Sequence, residues 1–506
     1  MNDTGPPGPG QREPGAAAFA PGDLLAGGTL PRLWTRLWEA RPDARSLMDG
    51  EDPGAVLGAA ELLSRTASAA ARLAAQGVEP RQRVLWSCSA SLDSIVALLG
   101  ALRLGAVVVP VNPAAARSEL LYVVHDVLPA LSLLDRPELG QWVKADSPGA
   151  TVLSPHELGR SEASTRDIIL DAAGPGDDAL IVYTSGTTGE PKGAVHTHRS
   201  LLAGVQALRI AWDWHPDDRL ILSLPLFHVH GLCAGLFGAL AAGSSAVFYE
   251  RFVPTQVLDA APESTMFFGV PTMYHRLAAT GRAAELAALR LCVAGSAPLP
   301  AALWHEFRQG YGVSVLERYG MSETLLTLSN PLVGERRPGS VGLPLPGVEA
   351  TVAQPDEHGI GELMVRGPSL FRGYWGRPEA SAAAWNEGWF STGDLASVGE
   401  DGYFSIRGRR TELIITGGHN VYPAEVEAVL GRHPSVGEIA VIGLPSVEWG
   451  ESVTAFVVGT DGEPDVDALM ALADEELTAY KRPRAFRVVG ALPRNAMGKV
   501  IRRDLR

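Results

Sequence analysis

The sequence predicts an α/β protein with a large N-terminal domain of mostly parallel sheets flanked by helices, a β-rich subdomain at its end, and a small α+β domain at the C-terminus. Three observations carry this. From Leu30 to about Gly339, short apolar runs rich in β-branched residues alternate with Ala/Leu-rich helical runs, the pattern of β-α-β units whose sheets are covered on both faces. From Gly347 to Ile406 shorter strands and Gly-rich turns take over. After Gly408 the polar stretch Arg409-Arg410-Thr411-Glu412 reads as a linker ahead of a compact region from Leu413 to Arg506. The expected divisions are therefore a disordered tail at 1–28, a large domain at 29–408 and a small domain at 409–506, joined near 409–412.

In chain order, Met1 to Gly28 is Gly/Pro/Ala-rich and has little to bury. Val84-Leu85-Trp86 is a strand, Leu92 to Leu104 a helix and Ala106 to Val111 a strand. Ala179-Leu180-Ile181-Val182-Tyr183 is a buried strand. The alternation continues through Leu220 to Leu222, the helix Leu232 to Ala242, and Ala246 to Tyr249. It closes with Met266 to Val270, the helix Met273 to Ala279, and Leu291 to Val293. Ligands of such sheets gather at the carboxyl ends of the strands, where the loops after Val182, Leu222, Val293 and Glu317 fall.

The net charge of −14 disfavours nucleic acid and anionic membranes as main partners. No run approaches the roughly 20 apolar residues that span a bilayer, and the N-terminus lacks a basic-then-apolar leader, so a cytoplasmic place is expected. Cys88, Cys233 and Cys292 are widely spaced in apolar surroundings without CxxC pairing, which fits buried reduced thiols.

Behind the strand Ala179–Tyr183 comes Tyr183-Thr184-Ser185-Gly186-Thr187-Thr188-Gly189-Glu190-Pro191-Lys192-Gly193. Its glycines allow unusual backbone conformations, its hydroxyls add donors, and Lys192 adds a cation, which together suit a polyphosphate. It is not a Walker A loop, because Lys192 lies between Pro191 and Gly193 instead of preceding Ser or Thr.

This stretch resembles the signature loop of the adenylate-forming acyl-CoA synthetases, luciferases and peptide-synthetase adenylation domains. Further segments agree in order: Leu224 to Gly231, Glu317-Arg318-Tyr319-Gly320-Met321-Ser322-Glu323-Thr324, Ser391-Thr392-Gly393-Asp394 with Gly408-Arg409, and Pro493-Arg494-Asn495-Ala496-Met497-Gly498-Lys499. The resemblance runs from about residue 30 to 506 and, within the family, is nearest to malonyl-CoA synthetases. It implies an acid–CoA ligase using ATP, Mg²⁺ and coenzyme A, with AMP and pyrophosphate released, and a C-terminal domain that is mobile about the hinge. At that hinge Thr411 stands where members commonly carry Asp or Lys.

The resemblance also implies roles. Thr184, Ser185, Gly186, Thr187, Thr188, Gly189 and Lys192 would hold the β- and γ-phosphates, with Lys192 also catalytic. Gly295, Ser296, Ala297 and the run Glu317, Arg318, Tyr319, Gly320, Met321 and Ser322 would hold the nucleotide. Thr324 would contact the α-phosphate, Glu323 would ligate Mg²⁺, and Asp394 with Arg409 would take the ribose. Lys499 would be the adenylation lysine and a candidate target of a regulatory acetyltransferase. Gly417, Gly418 and His419 would line the CoA tunnel, and His228 would gate the acyl pocket. His228 and His230 without a third ligand make a weak metal pair.

Strand alternation places Arg290, Cys292 and Ala294 on one face. Related enzymes line the acyl pocket just there, so Arg290 would bind the second carboxylate of a short diacid such as malonate or methylmalonate, with Met321 at the pocket wall. The alternative is that Arg290 caps the strand and pairs with a local acid such as Glu285. Arg276 is the second candidate for that carboxylate, or else lies on a solvated helix face. A monocarboxylate of short or medium length also stays open, because Leu325-Leu326-Thr327-Leu328 is more apolar than expected beside the pocket. A stand-alone adenylation enzyme loading a carrier protein is the other alternative, although no carrier domain follows in the sequence.

Overall fold

The computed structural model describes residues 24–159, 165, 168–184, 191–460, 462–495 and 499–506. Two large sheets organise the first part of the chain. In the nine-stranded sheet the order is Leu343–Pro344, Leu325–Ser329, Leu316–Met321, Leu291–Ala294, Met266–Gly269, Arg219–Leu222, Ser245–Phe248, Arg45–Asp49 and Val56–Gly58. Its centre is parallel and its edges antiparallel. The seven-stranded sheet runs Gly373–Tyr374, Lys192–Thr197, Asp178–Thr184, Val107–Pro110, Arg83–Ser87, Leu131–Leu134 and Val152–Leu153.

The helix Leu92–Leu104 shows how the sheets are held together. It is apolar nearly all round, so it has no face to give to water, and every residue from Asp93 to Leu104 is buried. It touches Val107–Pro110 of one sheet and Arg45–Asp49 of the other. Ser91 and Ser94 cap it reciprocally and Gly105, at φ 85°, ends it. Gly100 permits close packing on the helix Ala59–Ala75, since a Cβ there would lie 2.7 Å from that of Ala69 and 2.9 Å from the Thr66 carbonyl.

Alternation within strands sorts side chains between cores. Leu291 and Val293 join the core between the sheets, whereas Cys292 and Ala294 enter a second core with Tyr274, Phe267 and Phe307. The β-rich part pairs Glu349–Ala353, Gly361–Arg366, Trp389–Val398, Trp385–Asn386 and Phe404–Arg409. A turn at Arg410–Glu412 leads into a last sheet of His419–Val421, Ile414–Thr416, Gly450–Gly459, Val436–Ser446 and Ala485–Val488.

Three details differ from expectation. Leu24 is already buried and packed against Gly347, so the stretch expected as tail to Gly28 is anchored before Thr29 caps the helix Leu30–Ala40. The helix expected at Leu232–Ala242 begins at His230 as a wide π-helical turn to Phe237, where glycines at 231 and 235 let the backbone press against Pro225 and Leu222. The segment after Glu317 is a tight hairpin, not an open loop. Gly320 is required there because a Cβ would lie 2.0 Å from the Leu325 carbonyl. Among the described residues no helix is long and apolar enough to cross a membrane.

Candidate active site

The first strand of the signature motif ends at Thr184, which faces Lys192 at the start of the antiparallel return strand. The connecting residues Ser185, Gly186, Thr187, Thr188 and Gly189 lie outside the described residues. The Lys192 ammonium sits 5.2 Å from the ring centre of Tyr374, a cation–π distance. The Tyr374 hydroxyl in turn donates to Glu323 Oε1 at 2.9 Å. Burial raises the Glu323 carboxyl above its ordinary range, with the Tyr374 bond opposing. A buried carboxylate of this kind suits a hard divalent cation that takes its remaining oxygens from phosphates, so Glu323 fits Mg²⁺. Among the described residues no cluster of three or more His, Cys, Asp or Glu side chains is placed to hold a metal.

His196 steadies the same turn. Its Nε2 lies 2.6 Å from the Ser322 carbonyl and its Nδ1 3.2 Å from Ser200 Oγ. The carbonyl can only accept, so Nε2 carries the proton and Nδ1 accepts from Ser200. Phe371 N–H donates to the Glu323 carbonyl at 2.7 Å, and Thr324 is fully buried beneath them. His196 and Tyr374 escaped the sequence reading. His196 had one signal, its place four residues after Lys192 on the same strand face.

Along Leu316–Met321 successive side chains diverge. Glu317 accepts from the Leu299 amide at 2.9 Å and from Gly339, and burial pushes its carboxyl up to about 7. It thereby pins the turn Gly295-Ser296-Ala297. Tyr319 points to the Asp394 carboxylate, donating at 2.6 Å and lying within sulfur hydrogen-bond range of Met321. Arg318 is buried, and its Nε and Nη2 have no hydrogen-bond partner among the described residues. Burial lowers its guanidinium to about 9, with Glu317 opposing. Gly295 makes room for it, because a Cβ there would fall 2.3 Å from the Arg318 Cζ.

His230 belongs to this pocket. It stacks on Phe268, approaches Ser296 Oγ at 3.3 Å, and leaves Nε2 without a partner among the described residues. Burial, then the Arg318 and His228 charges, hold it neutral. Ser296 adopts φ 69° to reach it. His228 is held to about 4 by burial.

Asp394 also pairs with Arg409 at 3.2 Å, its partner across the strands Trp389–Val398 and Phe404–Arg409. Lys499 arrives from the C-terminal part, its amide donating to Asn495 Oδ1 at 3.0 Å. Burial and then Arg409 keep its ammonium below the ordinary lysine range, opposed by Asp394 and Glu412. Lys499 therefore shares the electrostatic environment of the Asp394–Arg409 pair although it lies far away in sequence. Gly417 and Gly418, at φ 56° and 82°, form the two-residue turn between Thr416 and His419. The turn is exposed, and His419 stacks on Tyr480.

The expected face of Arg290, Cys292 and Ala294 is not this pocket. Cys292 and Ala294 lie in the second core. Arg290 sits at the amino end of its strand, away from Gly295, and binds Asp218 through Nε at 2.7 Å and Nη2 at 2.5 Å. The ion-pair alternative holds in kind but not in partner, since Glu285 is taken by Arg282. Arg276 is exposed and stacks on Phe252 at 5.0 Å. Arg290→Ala should therefore leave the KM for the acid unchanged, while stripping the buried Asp218 of its partner costs about 2–3 kcal/mol. Urea melts and initial-rate kinetics on the same preparation check this.

Burial also sets an acid limit on stability. His196, His198 and His228 are each held to about 4, against about 6.5 in the unfolded chain. Between those values the unfolded state takes up protons that the folded state refuses, so stability falls as pH drops through that window. Glu317, raised to about 7, works the other way and loses stability as pH rises above the usual carboxylate range. With three such groups against one, melting temperature should fall between pH 6.5 and 4.5, as scanning calorimetry would show.

The chain matches the family described as AMP-binding enzyme over residues 34–375 and its C-terminal domain over 425–499. It is 37% identical to a malonate–CoA ligase of Arabidopsis thaliana over 462 residues, 82% of this chain and 76% of that protein. It is 36% identical to a feruloyl-CoA synthase of Amycolatopsis over 479 residues, 92% and 96% of the two. The ATP-bound structure of MatB from Rhodopseudomonas palustris superposes with a TM-score of 0.88 at 37% identity, covering 94% of this chain and 98% of that one. With the family matched across both parts of the chain and the same fold at that identity, the protein belongs to the AMP-binding enzymes.

Proposed function

We propose that this enzyme is an ATP-dependent malonate–CoA ligase, working through a malonyl-adenylate. The observation that carries the choice of acid is Arg318. A desolvated guanidinium with two unpaired N–H atoms is costly, and a second carboxylate in the pocket beside Gly295 and His230 would supply the missing anion. A monocarboxylate would leave the cost in place. The resemblance to malonate–CoA ligases supports this reading, while the similarity to a feruloyl-CoA synthase makes the acid a matter for direct test.

In the first half-reaction Asp394 accepts the ribose hydroxyls, and Lys192 with its loop holds the β- and γ-phosphates. Thr324 bonds the α-phosphate. Mg²⁺ held at Glu323 would supply charge neutralisation for the phosphates. One malonate carboxylate oxygen attacks the α-phosphorus and pyrophosphate leaves. Lys499 bridges the attacking carboxylate and the α-phosphate, where negative charge gathers, and Arg318 holds the other carboxylate. In the second half-reaction the CoA thiol sulfur attacks the acyl carbon, AMP leaves with the electron pair of the broken bond, and the thiol proton passes to solvent. Rotation about Arg409–Glu412 would bring Gly417, Gly418 and His419 to the thiol path, with His228 gating it. Acetylation of Lys499 would silence the first step by removing its charge. Buried free thiols at Cys88, Cys233 and Cys292 suit a reducing, cytoplasmic setting.

The test is pyrophosphate release with malonate, methylmalonate, succinate, acetate, propionate, ferulate and a medium-chain acid, with and without CoA. Malonate or methylmalonate should give the highest kcat/KM, and thioester should form on free CoA. Preference for ferulate or a monocarboxylate would overturn the reading of Arg318.

A further inference from the structure

A cleft of about 350 Å³ opens at the end of the nine-stranded sheet opposite the proposed active site. Its walls include Arg290 just before the strand Leu291–Ala294, and Gly312, Val313 and Ser314 just before Leu316–Met321. Arg308 from the last turn of the helix Ala301–Gly310 and Arg336 beyond the antiparallel strand Leu325–Ser329 complete it. All of these mark the amino ends of the parallel strands. The proposed chemistry gathers at the carboxyl ends, and from Arg290 to Gly295 the strand covers roughly 16 Å at ~3.3 Å per residue.

The charges of this cleft do not balance. No carboxylate lies among its lining residues in the described chain. Arg290 is neutralised by Asp218, but Arg308 and Arg336 form no ion pair among the described residues. Arg336 gives its N–H groups to the backbone carbonyls of Ser314, Pro331 and Leu332. It is anchored and rigid, yet its charge is uncompensated. Burial, with Arg308 adding to it, holds its guanidinium below the ordinary arginine range. Arg308 stacks over Trp304 at 5.2 Å, an arrangement that leaves the edge of the guanidinium available to donate. Two arginines from separate elements thus converge on one concavity in a chain whose net charge is −14, with the Ser314 hydroxyl beside them.

We propose that this cleft is a second binding site, distinct from the ATP and acyl sites, for a small polyanion that presents clustered oxyanion charge. Arg308 supplies the donors and Arg336 the fixed charge. Phosphate esters and polycarboxylates share that chemistry, so probes of both kinds separate them. Arg336 also clamps the backbone, which makes Arg308 the residue to change.

Inorganic phosphate, pyrophosphate and citrate would be titrated calorimetrically into the full-length protein and into Arg308→Gln, with ionic strength held constant by chloride. The wild type should show saturable binding of at least one probe, weakened on the order of tenfold in Arg308→Gln, the loss expected for a charge-assisted hydrogen bond, and removed in Arg308→Glu. Tighter binding of citrate assigns a polycarboxylate, and tighter binding of phosphate or pyrophosphate assigns a phosphate compound. Both variants should keep the wild-type melting temperature and, without added anion, the wild-type kcat and KM for ATP. No saturable binding of any probe, or equal binding in Arg308→Gln, overturns the proposal. Pyrophosphate held at the Lys192 loop would give that equal binding, so the outcome is separable from the fate of the active-site reading.

Discussion

Lys499→Ala should abolish acid-dependent ATP–pyrophosphate exchange, with a loss of about 10²–10³-fold or more, the scale for deleting one preorganised donor to developing charge. The same variant should still convert supplied malonyl-adenylate and CoA to thioester. The split follows from where the side chain sits. Lys499 is buried beside Asp394 and Arg409, the pair assigned to the ribose, so in this pose it can reach the α-phosphate. The thioester step needs other residues at the site. Lys499→Arg keeps a charge but replaces a point ammonium on a slim stem with a broad planar fork, and it should restore little. Normal exchange in Lys499→Ala would show that another group neutralises the transition state. Equal loss of both half-reactions would show a structural role.

Replacing Arg318 should change which acid is used. Arg318→Met is expected to lower kcat/KM for malonate by about 10²–10⁴-fold, as when a site built to pair a polar group loses its partner. Propionate should be spared or improved, and KM for ATP should stay close to wild type. Stability offers a second readout. The ligand-free guanidinium is buried with unpaired N–H atoms, so an apolar residue of similar length should hold or raise the melting temperature. A merely structural arginine would give the opposite, a lower melting temperature with the order of acids unchanged. Gly295→Ala supplies an independent perturbation, since its Cβ would invade the space of the Arg318 Cζ. It should impair malonate selectively without touching the charge itself.

Much of the fold was legible because it rests on local pattern. The helix Leu92–Leu104 has the expected boundaries, and the strands at Arg83–Ser87, Arg219–Leu222, Met266–Gly269 and Leu291–Ala294 fall within a residue or so of expectation. Hydrophobic periodicity and cap residues dictate such elements directly. Less legible were features that depend on neighbours distant in sequence. Leu24 is held by Gly347 rather than by its own composition. The π-helical turn at His230 depends on glycines meeting Pro225 and Leu222.

The site divides in the same way. Lys192, Glu323, Asp394, Arg409 and Lys499 stand in contiguous motifs, so their resemblance to a family could be read without coordinates. The acid-binding residue could not. Alternation correctly put Arg290 on one face with Cys292 and Ala294, but period two does not say which face meets solvent, which meets a second core, or which end of the strand bears the pocket. His196 and Tyr374 stayed hidden because neither belongs to a motif and each acts through a partner elsewhere, Ser322 for one and Glu323 for the other.

By itself, the sequence determined the alternating α/β architecture, the phosphate-binding character of the Thr184–Lys192 segment and the family, because each is written in neighbouring residues. Only the tertiary structure decided that Arg290 is spent on Asp218 while Arg318 stands unpaired beside Gly295 and His230. The physical reason is that burying a charge says nothing of its purpose until its partners are known, and those partners come from strands and loops that only folding brings together.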